Sequence, residues 1–560
     1  MNTIKEKKLK SLLIGIGPGY HWQVRSMHAM VKNKCDSSML FFNIDRKIDS
    51  IGDNLRLHSS LKYSSFASTF STFKEWVKES QFNLIGIGFM SHHWDIYVEM
   101  SKIIRHVLPN CKIICGGVHA WHIDSYLTLE HCDYVCAGEG EELYSKLVDK
   151  LSSDANASGL RIPGLTERYQ GEVIHTHVQK YMPIDDTPFP TYGDKKTYTI
   201  TAVNIDKPFF LNEDPLVRSE FGYIHVGRGC FFKCSFCINA VIENKTVRLR
   251  SVNKVIAEIK EMLSVCKNVR AIIFNDEIFP VRHSWLPEFC KKYKEQINLP
   301  FQIVLYPHML SEEKIRILKS AGLTEIAMGL QSGSERIRNH IYDRHDKNSR
   351  LLTENALLGK HNIMTSYDII IRNPYETETD LSIGLDFIHK LEQPYYLKFY
   401  TLAYYPKHPI TIRALKEKMV DPKEVDATIG YLDVRPPHKI RLREHYHDDA
   451  TFVAWHKRIR KLMLKNYKEN AYYLMMCYHG VWFIPQFVLN FLIKQFKKDN
   501  LWQLYVFSYL LEGILIVRNF YVVRYPFFIL LKLKQNGLIF VTKLVIKKLM
   551  HIFRQISYKS

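Results

Sequence analysis

Cysteine is scarce in these 560 residues: there are eleven, an odd number, spread widely. That argues against a disulfide framework and fits thiols kept reduced for packing or metal binding. The leading stretch MNTIKEKKLKSLLIGIG has neither a long apolar run nor a small-residue cleavage site after its basic residues, so no signal peptide is expected. Acid falls short of base, 57 Asp and Glu against 77 Lys and Arg, for a formal charge of +20. Half of that excess lies between Lys494 and Lys559, where twelve Lys or Arg face two acids. No recognised nucleic-acid module accompanies it, so nucleic acid is not the expected partner, whereas a basic apolar tail attracts anionic lipid. A complete dinucleotide fingerprint is also missing. Gly15-Ile16-Gly17 begins one, but Tyr20 stands in place of the third glycine, so NAD is not expected although Asp45 stands where a ribose acid would.

What is present centres on Gly222 to Arg250, GYIHVGRGCFFKCSFCINAVIENKTVRLR. A short alternating run, Tyr223 to Val226, leads into Cys230, Cys234 and Cys237 on a tight loop, with Phe236 just before the third. Three thiolates are one too few for a closed tetrahedral zinc site, so a fourth ligand comes from elsewhere or the position stays open. The spacing alone serves a structural zinc loop and an iron-sulfur cluster equally.

The length permits two or three domains. Residues 1–155 alternate short apolar runs with helical segments, the pattern of a Rossmann-like α/β parallel sheet. Four runs end in glycine, at Gly17, at Gly88 before Ser91, at Gly116-Gly117 and at Gly138-Glu139, and parallel sheets bind ligands at such carboxyl ends. His92-His93 and His119-x-x-His122 read as polar loop residues, and the Cys111/Cys115 and Cys132/Cys136 pairs as small hydrophobes sharing one strand face. Residues 156–221, rich in proline turns, read as an extended linker. Residues 222–410 alternate strand and helix six times, predicting a partial (β/α)6 barrel whose polar strand ends build the site. These ends are Asn275-Asp276-Glu277, Gln331-Ser332, and Asp368 to Glu376 with Asn373. Read singly, Asp276 or Glu277 is a helix cap and Gln331 a core amide. A charged extension, 411–470, precedes a basic, apolar, helical region, 471–560. Within it the uncharged run 472–493 suits an interfacial helix, a buried cap on the barrel or a membrane span.

The motif Cys230-x3-Cys234-x-Phe236-Cys237 resembles the signature of the radical SAM superfamily, and the N-terminal segment resembles the cobalamin-binding domain fused to many of its members. The resemblance implies a 4Fe-4S cluster on Cys230, Cys234 and Cys237, its fourth iron chelated by S-adenosyl-L-methionine. It implies that Asn275, Asp276 and Glu277 face the methionyl amine, Gln331 and Ser332 the ribose, and Asp368 and Asn373 the adenine. Arg372 and Tyr375 depart from the family's glycines there. Gly88, Ser91, Gly116, Gly117, Gly138 and Glu139 would meet cobalamin, without the Asp-x-His-x-x-Gly motif that supplies an axial histidine elsewhere. The implied activity is reductive cleavage of S-adenosylmethionine for C-methylation of a small-molecule or lipid-like substrate. A reductase or a flavodoxin- or ferredoxin-type protein would donate the electron, in the cytoplasm or at the membrane's inner face. Alternatives are a methylthiotransferase-like or ring-forming enzyme without cobalamin, and a zinc scaffold. Tyr306, Tyr367 and Tyr375 stand as pocket or packing residues.

Overall fold

The computed structural model describes residues 8–425 except 18–19, 44–63, 123–127, 178–179, 202–208, 243–246, 282–283, 372, 393–394 and 424. Asp45, Arg372, most of the charged extension and all of 471–560 with its run 472–493 lie outside the described residues. By packing the chain divides into Met1–Met463 and Leu464–Ser560, and everything below belongs to the first unit.

Two α/β layers form it. The N-terminal sheet comprises β1 (Lys10–Ile16), β2 (Asp36–Asn43), β3 (Leu84–Gly88), β4 (Lys112–Gly116), β5 (Tyr134–Cys136), β6 (Leu165–Tyr169), β7 (Glu172–His175), β8 (Thr197–Thr201) and β9 (Phe209–Leu211). Their order is β7-β6-β5-β4-β3-β1-β2-β8-β9, parallel from β5 through β8. β1 and β3 are neighbours although β2 intervenes in sequence, so the chain reverses its winding there and opens a crevice at the strand ends. Leu12, Ile14, Ile85 and Ile113 pack on one face of the sheet and Leu13, Met39, Leu84 and Ile114 on the other. Strands buried on both faces must be apolar at every position, which is why these read as continuous hydrophobic runs. Each such side chain contributes about 1.5–3 kcal/mol by leaving water.

The stretch 156–221 is not a plain linker. It supplies β6, β7, β8 and β9, the two outer strands on each side. Cys111, Cys115 and Cys132 join one core face and Cys136 the other, because Cys132 lies before β5 begins, not on it.

The second sheet is a partial barrel: β10 (Phe221–Ile224), β13 (Ala271–Phe274), β14 (Phe301–Leu305), β15 (Leu323–Gln331), β16 (Met364–Ile371) and β17 (Tyr395–Thr401), all parallel and in sequence order. Between β10 and β13 a short antiparallel ribbon, β11 (Gly227–Arg228) with β12 (Arg248–Leu249), closes the cysteine loop. Helices cross between the strands with local stop and start signals. Ser251 and Ser311 cap Val252–Val265 and Glu312–Ala321, Gly322 ends the second at φ 115°, and Thr377 with Asp380 forms a capping box for Glu378–His389. No helix among the described residues is long and apolar enough to cross a membrane.

Candidate functional site

The cysteine loop is clamped from three sides. Asp276, at the end of β13, accepts from the backbone amides of Val226 and Gly227 at 2.8 and 2.9 Å, fixing the turn from β10 into the ribbon. Ser235 donates from its amide to Tyr342 O (3.0 Å) and from Oγ to Ile341 O (2.6 Å), and accepts from Ile410 N at 3.1 Å. Phe236 meets the Tyr342 ring edge-on at 5.1 Å, and His408 Nδ1 lies 2.9 Å from its carbonyl. Cys234 is buried while Cys230 and Cys237 are half-buried. Burial pushes all three thiols up, Cys230 to about 11, and the charges of Cys234 and Cys237 add to the rise at Cys230. Opposing this, Arg344 Nη1 lies 3.6 Å from Cys234 Sγ, and its cation favours the thiolate. Among the described residues no three His, Cys, Asp or Glu close on a point tightly enough to hold one metal ion. Three soft thiolate donors on one loop are a donor set that suits an iron-sulfur cluster as well as zinc.

The polar strand ends surround this loop unequally. Glu277 is exposed and its charge acts on both Cys230 and Cys237. Asp276 is buried beneath the loop, and burial holds its carboxyl well above the usual range against the two amide donors. Asn275 Nδ2 donates to the hydroxyl of Tyr20 at 2.6 Å. That tyrosine comes from the N-terminal sheet, stacks on Tyr223 at 4.4 Å and lies 2.6 Å from His225 Nε2. Burial drives His225 down to about 3, and its ring shares a hydrogen bond with the Tyr20 phenol. Gln331 sits at a register shift between β15 and β16 with φ 66°, a left-handed backbone rare for a residue with a Cβ. Its amide folds back over Gly329 beside Arg344.

Ser332, Asp368 and Asn373 lie deeper. Ser332 is buried and donates to Glu376 Oε1 at 3.1 Å. Asn373 is buried, donating to the Tyr342 hydroxyl at 3.0 Å and accepting from Tyr375 N at 3.1 Å, so it shapes the turn after β16. Asp368 pairs in register with Lys398, and burial pushes its carboxyl up to about 6 against that cation. Tyr367 is buried in the barrel core, while Tyr306 stacks on Phe232 at 3.5 Å under the Arg344 guanidinium.

Glu376 carries a stability prediction. Burial pushes its carboxyl up to about 8, with the Ser332 hydroxyl opposing the shift. The folded chain therefore keeps a proton that the unfolded chain releases near pH 4.3. Stability from this group is complete below that pH and is lost as pH rises through about 8. The melting temperature is expected to fall between pH 5 and 8.5, and Glu376→Gln to flatten that fall. An unchanged slope in the variant would refute the assignment.

At the N-terminal sheet the predicted glycines form one edge. Gly88 and Gly116 end β3 and β4, Gly117 comes directly after β4, and Gly138 follows β5. Gly117 has φ 96°, and a Cβ there would lie 2.6 Å from Phe89 O. In the β1/β3 crevice a Cβ on Gly17 would meet the His93 ring at 2.4 Å. At these two positions glycine is required by the protein's own packing, whereas a Cβ on Gly88 would meet nothing closer than 3.8 Å. His93 and His119 are buried, contrary to a loop reading. The His119 ring stacks between Phe89 and Trp94 at 4.9 and 4.6 Å, and burial lowers it to about 4. Ser91 is buried at the foot of the following helical turn. Glu139 turns its carboxylate to the ribbon, 2.5 Å from Arg228 and in contact with Arg248.

Arg344, Tyr20 and the ribbon arginines are absent from the sequence-based site. Only Tyr20, a tyrosine in a glycine's place, left a local signal.

Residues 224–382 match the Radical SAM superfamily. An uncharacterized methyltransferase of Pyrococcus horikoshii is 25% identical over 333 residues, 58% of this chain and 68% of that protein. A tRNA-2-methylthio-N(6)-dimethylallyladenosine synthase of Finegoldia magna is 26% identical over 235 residues, 39% of this chain and 49% of its own length. Among solved structures, the radical S-adenosylmethionine methyltransferase TsrM from Kitasatospora setae, with cobalamin and a [4Fe-4S] cluster bound, superposes with a TM-score of 0.56. It is 13% identical, over 73% of this chain and 75% of that one.

Proposed function

We propose that this chain, whose residues 224–382 match the Radical SAM superfamily, cleaves S-adenosylmethionine reductively and directs the resulting radical to cobalamin-dependent C-methylation of a small-molecule or lipid-like substrate. The observation that carries this reading is the clamped loop of Cys230, Cys234 and Cys237, with a guanidinium on its buried sulfur, beside a glycine-edged parallel sheet. Held by Cys230, Cys234 and Cys237, a reduced 4Fe-4S cluster would supply the electron for reductive cleavage of the sulfonium C–S bond, and cobalamin at the Gly88, Gly116, Gly117 and Gly138 edge would supply a methyl carrier. The protein's part is alignment and exclusion of water. The three cysteines hold the cluster, Glu277 orients the methionyl amine from the rim, and Gln331 reaches toward the ribose from its left-handed turn. Gly88, Gly116, Gly117 and Gly138 let the corrin approach the backbone. The electron donor is a reductase or a flavodoxin- or ferredoxin-type protein, and the charge of the basic region 494–559 would attract anionic lipid at the inner membrane surface.

Anaerobic reconstitution with iron, sulfide and hydroxocobalamin tests the reading. The expected result is about four irons, one corrin per chain, and 5′-deoxyadenosine on reduction with S-adenosylmethionine. Iron and 5′-deoxyadenosine without corrin would move the chain to the methylthiotransferase-like or ring-forming class. Zinc without iron would make it a scaffold.

A further inference from the structure

The ribbon that closes the cysteine loop sets two cations side by side. β11 and β12 pair Arg228 directly opposite Arg248, and like charges facing each other across strands push the pair apart. A carboxylate of the N-terminal sheet lies between them. Glu139 Oε2 accepts from Arg228 Nη1 at 2.5 Å, and Glu139 Oε1 accepts from Arg248. Glu141, on the first turn of the helix Gly140–Ser153, takes the second Arg228 nitrogen at 2.6 Å and is itself oriented by Ser26 Oγ at 3.0 Å. The guanidinium of Arg228 also lies over the Trp22 ring at 4.9 Å. Arg248 lies over the Tyr181 ring at 5.1 Å and donates to Met182 O at 3.3 Å. Glu139 occupies the N-cap position of that helix yet caps nothing. Its side chain serves the ribbon instead. Cys230 follows Arg228 by two residues, so whatever holds the ribbon shut holds the entry to the cysteine loop.

We propose that Glu139 is a positioning residue, the clasp through which the ligand edge of the N-terminal sheet closes the β11–β12 ribbon and fixes the cysteine loop. The role differs from contact with a corrin by its side chain, because the carboxylate is already shared by two arginines. The inference rests on the cysteine loop being the catalytic loop. Hydrogen exchange on the protein without cluster tests the clasp whether or not that reading stands.

The experiment compares full-length wild type, Glu139→Ala, Glu139→Gln, Arg248→Glu and the double variant Glu139→Arg/Arg248→Glu. Partly buried pairs of this kind weigh enough that Glu139→Ala is expected to speed amide exchange in residues 227–242 about tenfold. Exchange in β3, β4 and β14 should stay as in wild type. Glu139→Gln should fall between, because the amide keeps a hydrogen bond and loses the charge. The double variant again matches one anion to two cations, with the anion now opposite Arg228, and is expected to recover part of the protection that Arg248→Glu alone loses. After anaerobic reconstitution, iron held against a chelator should follow the same order. Wild-type exchange of 227–242 in Glu139→Ala would overturn the clasp. So would a double variant no better than its parents, or a general rise in exchange across β3 and β4.

Discussion

Cys234→Ala is expected to lower 5′-deoxyadenosine formation by the reduced, reconstituted protein on the order of 10³-fold or more, and to collapse its broad visible absorbance. Of the three thiols, Cys234 is the buried one, at the centre of the clamped turn, with its amide neighbours bonded to Tyr342 and Ile410. Water has poor access there to replace a missing sulfur. A cluster left with two protein ligands loses the corner geometry that keeps one iron open to the cofactor. Arg344 tests the same site from outside the ligand set. It contacts Cys234 Sγ and donates to Gly329 O at 2.6 Å. Arg344→Lys keeps the charge and loses the fork, with an expected cost of about tenfold, within the range of residues that orient metal ligands. Cys290→Ala, in the core cluster of the barrel, is expected to leave product formation within about twofold. Wild-type absorbance and turnover in Cys234→Ala would remove this sulfur from the mechanism.

The parts of the site legible in sequence are those whose reason is local. Three cysteines close together on one loop, glycines closing apolar runs, and polar triplets after strands are all consequences of short-range chemistry. The fold follows the same division. The buried strands of both sheets announce themselves as apolar runs because both faces pack. β7 does not: Glu172–His175 is mostly exposed, so nothing in its composition marks it, and its order comes from pairing with β6. β8 has an alternating TYTIT sequence whose place beside β2 depends on residues about 160 positions away. Gln331 shows the limit within the site itself. Its residue type was readable, but the positive φ that aims it arises from a register shift between β15 and β16, which only the paired strands impose. Tyr20 and Asn275, 255 positions apart, are equally beyond a local pattern. The same holds for Glu139, whose glycine neighbours suggested a ligand edge while its carboxylate answers to the ribbon arginines.

The largest stability effect is expected at Asp214, in the stretch that sequence alone rendered as linker. Arg25 and Asp214 are each about 1% exposed and bind through two parallel contacts of 2.6 and 2.7 Å. The guanidinium also donates to Tyr20 O (2.6 Å) and Thr191 O (3.1 Å) and lies over the Phe41 ring. The carboxylate also accepts from Gly193 N and Leu216 N at 2.8 and 2.9 Å. Burial raises this carboxyl, but the Arg25 cation and the amide donors outweigh it and hold the group below the usual carboxylate range. Asp214→Ala leaves a cation with no counter-charge and two amides with no acceptor in a dry interior, at a cost of about 3–5 kcal/mol. Against a total stability of about 5–15 kcal/mol, that is a large fraction. Replacing both partners, Arg25→Met with Asp214→Leu, is expected to cost less than either single change, because no charge is then stranded. The depressed carboxyl stabilises the fold above its unfolded pKa near 3.9, and that contribution is lost as pH falls through the folded value. Acid unfolding should therefore be shallower in Asp214→Asn than in wild type. Urea midpoints at pH 7 decide the matter: a single-variant loss below about 1 kcal/mol, the range of exposed pairs, would mean that the pair is not dry and that the stretch is as loosely attached as its prolines imply.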